Sequence, residues 1–129
     1  MESYILEFTV KYIRENASHK KPIKNQDLDE ALQESLGLKP LGDGAIRALI
    51  HECRLNIDII TDSGDVGWLC ANHNGYFVSF NASAMNESLM SFFSKITKMM
   101  KVYQKGMQVL NQKTYYKQRK LFDYGEGNI

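Results

Sequence analysis

Apolar residues recur at Ile5, Phe8, Tyr12 and Ile13, a three-and-four spacing that predicts a helix over residues 3–17 with Ser3 as its cap. Pro22, in a polar and basic stretch, predicts a loop over 16–24. A second helix is expected behind Asn25 as N-cap, with acidic Asp27, Asp29 and Glu30 near its positive end, Leu28, Ala31, Leu32 and Ser35 or Leu36 turned inward and Gly37 as its stop. A third, over about 43–54, places Ile46, Leu49, Ile50 and Cys53 on one face and Arg47, His51 and Arg54 on the other. The period then changes. Short extended runs at 57–61, 67–71 and 76–80 alternate with turn sequences at 62–65 and 72–75, the latter ending in Asn-Gly, a strong hairpin signal.

From Asn81 or Ser83 the helical period returns. Met85, Leu89, Phe92, Ile96, Met99 and Tyr103 alternate spacings of four and three, a heptad run, and Phe93, Met100 and Met107 widen the stripe. The pattern predicts a helix over 83–117, dimerising through Leu89, Phe92, Ile96, Met99 and Tyr103. Gly106 weakens the seam. The whole reads as an α+β chain: a winged helix-turn-helix domain at 1–82, a long coiled-coil-like α-helix at 83–117, and a flexible tail at 118–129.

Composition narrows the function. With 129 residues, 43% hydrophobic and 24% charged, the chain is one ordinary domain with an appendage, too small for a multidomain enzyme. Two cysteines are too few for a disulfide framework and suggest a reducing, cytoplasmic setting. The opening MESYILEFTV has no basic stretch ahead of an apolar one, and no apolar run is long enough for a membrane. The formal charge of +1 hides a division. Residues 1–80 carry 8 Lys and Arg against 12 Asp and Glu, net −4, and residues 81–129 carry 8 against 3, net +5. Attraction to nucleic acid therefore belongs mainly to the second part.

Arg47, His51 and Arg54 are the residues a recognition helix would turn to a groove, where Arg reads guanine edges or holds phosphates. Asn72, His73 and Asn74 form the expected wing tip, small hydrogen-bonding residues that any tight turn also selects. Lys95, Lys98, Lys101 and Lys105 share one broad side of the long helix, suited to sequence-indifferent contact with double-stranded DNA or simply to solvation. A zinc reading of His51, Cys53, Cys70 and His73 fails on spacing, because residues two apart on a helix point to different sides. Asp58, Asp62 and Asp65 fall across a strand and a glycine turn, and no catalytic motif is present. A non-enzymatic protein without metal or cofactor is expected.

The segments AIRALIHECR and GYFVSF resemble small winged-helix proteins of bacteriophages and prophages, which read IRxLIxxLR and then GYY ahead of a long C-terminal helix. The resemblance spans roughly 24–111, and residues 61–68, acidic at Asp62 and Asp65, are an addition to that pattern. Gln118-Arg119-Lys120-Leu121-Phe122 resembles the Q-x-x-L-F peptide by which bacterial replication and repair proteins bind the DNA polymerase sliding clamp. Leu121 and Phe122 would be its apolar anchors and Gln118 its polar rim contact. Arg119-Lys120 replaces the peptide's usual acidic or polar centre. Together these features imply a phage-type DNA-binding accessory or regulatory factor in DNA replication, acting as a homodimer in a bacterial host cell. The alternatives are a dimeric transcriptional regulator, with the tail incidental, and a phage inhibitor of a host protein.

Overall fold

The computed structural model describes the backbone of residues 1–127 and the side chains of residues 1–118. Three helices come first: α1 (Ser3–Asn16), α2 (Asn25–Leu36) and α3 (Gly42–Asn56). A three-stranded antiparallel sheet follows, β1 (Ile59–Ile60), β2 (Val66–Asn72) and β3 (Gly75–Ser79), ordered β1-β2-β3. The long helix α4 (Ala82–Gly127) closes the chain. The architecture is α+β, as the periodicity predicts. Two compact units are present, Met1–Ser91 and Phe92–Ile129.

The core of the first unit collects the predicted stripes. Leu6, Val10 and Ile13 of α1 meet Leu28 and Leu32 of α2 and Ile46, Leu49, Ile50 and Cys53 of α3. Leu69 and the partly buried Tyr76 and Val78 close it from the sheet. Among the described residues Thr9 is the buried polar side chain, and its hydroxyl donates to the Ile5 carbonyl at 2.7 Å, so its burial leaves nothing unsatisfied. Each small helix thus supplies one apolar face.

Ile23, in the loop after Pro22, joins the sheet. Its N–H donates to the Tyr76 carbonyl at 2.9 Å, and its own carbonyl accepts from the Tyr76 N–H at 2.8 Å. The contact is close enough to require glycine at 75. There φ is +139°, and a Cβ would stand 2.6 Å from the Ile23 carbonyl carbon. The α1–α2 loop and the β2–β3 hairpin are therefore fixed to one another.

Several boundaries differ from the sequence reading. Glu2 and Lys24 precede the first two helices, and neither helix has a side-chain cap. Asn81 does cap α4, its Oδ1 accepting from the Ala84 N–H at 3.1 Å. The first strand shrinks to two residues because Thr61–Asp65 folds into a turn, closed by the Thr61 N–H on the Asp65 carbonyl at 2.8 Å. The long helix passes the expected end at 117 and runs to Gly127, through the stretch expected as a tail. No glycine or proline stands between Met107 and Tyr124, so nothing in the backbone stops it.

Candidate nucleic-acid interface

The turn between α2 and α3 is set by a residue that sequence reasoning gives another role. Asp29 reads as an acidic residue near the positive end of α2. In the fold its carboxylate serves the next helix. Oδ1 accepts from the Leu41 N–H at 3.1 Å and Oδ2 from the Gly42 N–H at 3.1 Å, while Gln33 Nε2 donates to Oδ1 at 3.2 Å. These are among the donors that the start of α3 leaves unpaired. The Leu41 and Gly42 N–H bonds hold the Asp29 carboxyl below its ordinary range. No local motif announces this clasp, because its partners lie 12 and 13 residues away.

From that anchored start, α3 turns Asp43, Gly44, Arg47, Ala48, His51 and Leu55 to solvent. Arg47 and His51 are thus available to a partner, with glycine and alanine one turn before or between them allowing close approach of the helix. Arg54 is not part of this face. Its Nε donates to the Leu69 carbonyl at 2.8 Å, tying α3 to β2, and its guanidinium is partly buried. The correction has a geometric cause. Arg54 sits about 90° from the centre of the buried stripe, on its border, whereas His51 lies well beyond it at 100° per residue.

Arg54 also completes the cover of a sheet edge. Beyond the short β1, the outward carbonyl of Leu69 is taken by Arg54, and Ser88 of α4 takes Ala71. The Ser88 hydroxyl accepts from the Ala71 N–H at 3.1 Å and lies 3.4 Å from its carbonyl as a donor. An open strand edge is a template for aggregation, and here two side chains occupy it. Burial pushes the Tyr76 hydroxyl pKa up, while Arg54 and Arg47 act in the opposite direction.

At the hairpin tip, Asn72, His73 and Asn74 are exposed. The Asn72 side-chain oxygen already accepts from the Asn74 N–H at 2.8 Å, so it builds the turn. His73 and Asn74 are the outward groups. Cys53 lies in the core with its thiol pushed up to about 12 by burial, and Cys70 is buried as well. Among the described residues no three His, Cys, Asp or Glu side chains gather as metal ligands. Asp58, Asp62 and Asp65 are exposed around the β1–β2 turn.

Along α4 the lysines Lys95, Lys98, Lys101 and Lys105 are all exposed. So are the residues expected to dimerise the chain: Leu89, Phe92, Ile96, Met99 and Tyr103 range from 42% exposed at Ile96 to 71% at Met99. Gln118 is an exposed helical residue, and the backbone at Leu121 and Phe122 is helical; their side chains lie outside the described residues. Among the described residues, no helix is long and apolar enough to cross a membrane. A shallow cleft of about 150 Å³ between the end of α3 and β1–β2, lined by Ile57, Ile60, Val66 and Trp68 among others, has no counterpart in the sequence reading. No family model, curated protein or solved structure matches the chain.

Proposed function

We propose that this chain is a non-catalytic, dimeric DNA-binding factor of winged-helix type, an accessory or regulatory component of bacterial or phage DNA replication. The supporting observation is the outward face of α3, where Arg47 and His51 stand exposed beside Gly44 and Ala48 on a helix whose start is clasped by Asp29. A helix so anchored can enter a major groove with its small residues against the backbone and Arg47 on a base edge. Pairing of Ile23 with Tyr76 beside the β2–β3 hairpin fits the winged arrangement, with His73 and Asn74 as the wing contacts. Lys95, Lys98, Lys101 and Lys105 supply the phosphate contacts that the net acidic first part lacks.

The test is fluorescence anisotropy of labelled duplexes over a salt series. Arg47→Ala is expected to weaken binding to a preferred duplex by roughly tenfold or more, as removal of one bidentate base contact does. Replacing the four lysines by Gln lowers the salt slope by about 0.9 for each phosphate no longer neutralised. Absence of binding even at low salt refutes the reading. The replication setting rests on Gln118, Leu121 and Phe122 docking on a sliding clamp. Because α4 is helical there, extended docking requires its last turns to unwind.

A second reading is favoured by one observation. Exposed Asp58 lines a cleft together with Ile57, Ile60, Val66 and Trp68, a mixed acidic and apolar surface suited to a host protein rather than DNA. A chain that captures a host protein and binds no duplex at low salt belongs to that class.

A further inference from the structure

The apolar stripe of α4 has more structure than a seam. In heptad terms Leu89, Ile96, Tyr103 and Leu110 occupy a positions, and Met85, Phe92, Met99 and Gly106 occupy d. Phe93, Met100 and Met107 fill e, so a third apolar row runs along one side. Leu89, Phe93, Met100 and Leu110 are all close to or more than half exposed, so the rows face solvent in the single chain. The stripe has a defined end, since Lys113 and Lys117 take the next d and a positions.

We infer that α4 pairs with α4 of a second copy in antiparallel orientation, with Gly106 of one chain facing Leu89 of the other. The inference rests on the dimer reading above and adds its geometry. Its first support is the third row. In a parallel pair each e position faces g of the partner, which would set Met100 against Lys95 and Phe93 against Ser88 and leave only Met107 against an apolar residue, Val102. In an antiparallel pair e faces e, so Phe93 meets Met100 of the partner and Met100 meets its Phe93, two favourable aromatic–thioether contacts, while Met107 falls opposite Asn86.

Size complementarity is the second support. Pairing centred between Thr97 and Lys98 matches Met85 with Leu110, Leu89 with Gly106, Phe92 with Tyr103 and Ile96 with Met99. Every a and d residue from 85 to 110 then meets an apolar residue or the one glycine. Gly106 has nothing within 4 Å of a Cβ added to it, and a parallel pair would stack glycine on glycine and leave a void. Against Leu89 the missing side chain becomes room for a large one.

Charge agrees. Residues 92–118 hold six lysines and no acidic residue, so a partner must not bring lysines together. Lys98, Lys101 and Lys105 lie on the side of the helix opposite the stripe. Lys95, at g, would face Val102 of the partner. A second copy therefore covers the stripe without like-charge contact and leaves a basic outer surface. A lipid surface would bury the rows without regard to size, so the Leu89–Gly106 match speaks for a second copy.

Sedimentation equilibrium of the full chain, with Leu89→Ala, Gly106→Leu and the double variant, tests the geometry. Gly106→Leu alone is expected to weaken the dimer at least tenfold by overpacking against Leu89, and Leu89→Ala to weaken it comparably. The double variant exchanges large for small and returns to within about threefold of the parent. In a parallel pair the two positions are about 25 Å apart, their effects multiply, and Gly106→Leu tightens the dimer by filling the void. That result overturns the orientation while the dimer stands. A parent chain monomeric at about 100 µM, far above the concentration at which a stable pair dissociates, overturns both.

Discussion

Replacing Gly75 by alanine is the sharpest test of how the hairpin is held. Two effects add at this position. At φ +139° an L side chain is strained, at a cost of about 1–3 kcal/mol. The new Cβ also collides with the Ile23 carbonyl, so the Ile23 segment or the hairpin must move. Movement sacrifices the reciprocal bonds between Ile23 and Tyr76, at 2.9 and 2.8 Å, each contributing about 1 kcal/mol. The expected loss is therefore about 3–5 kcal/mol, a large part of the roughly 5–15 kcal/mol typical of a small domain. Gly37→Ala is the control. Gly37 also has positive φ, at +67°, but open space around its Cβ position, so about 1 kcal/mol is expected. Urea denaturation followed by circular dichroism at neutral pH measures both. If Gly75→Ala loses no more than Gly37→Ala, the Ile23 contact is not what fixes the hairpin.

Three further outcomes are expected. Arg54→Met keeps the aliphatic packing but removes the charged donor to the Leu69 carbonyl. It should lower stability by about 1.5–3 kcal/mol in the same denaturation assay and affect duplex binding less than Arg47→Ala. Asp29 titrates below its unfolded value near 3.8, so its contribution is fully present above that pH and is lost as pH falls through the lower folded value; a pH series of urea midpoints should show that loss in the parent and not in Asp29→Asn. Truncation before Gln118 should abolish binding to purified bacterial sliding clamp in a titration and leave duplex binding unchanged, whereas equal clamp binding by both forms removes the tether from the proposal.

Periodicity carries far in this chain because the burial it encodes is local. Ile46, Leu49, Ile50 and Cys53 are core residues wherever α3 packs, and the turn sequences at 62–65 and 72–75 set off the strands wherever the sheet sits. The heptads of α4 likewise show in the residue spacing alone. What the spacing cannot carry is any contact between residues distant in the chain. Asp29 becomes a clasp only when α2 brings it to the start of α3. Arg54, already on the border of the buried stripe, is drawn from the outward face because the Leu69 carbonyl at a strand edge lies within its reach. Ile23 becomes a sheet residue only by meeting Tyr76, and Gly75 is required because of that meeting. The same division separates the boundary of α4 from its stripe. Continuation past 117 follows from the absence of glycine or proline between Met107 and Tyr124, while the Ser88 contact that secures its start depends on an Ala71 backbone 17 residues earlier. Hydrophobic spacing thus chose the elements and their inward faces by themselves. The tertiary structure decided which polar side chains are engaged by backbone groups and which, like Arg47 and His51, remain for a partner, because a hydrogen bond needs a distance that no one-dimensional pattern contains.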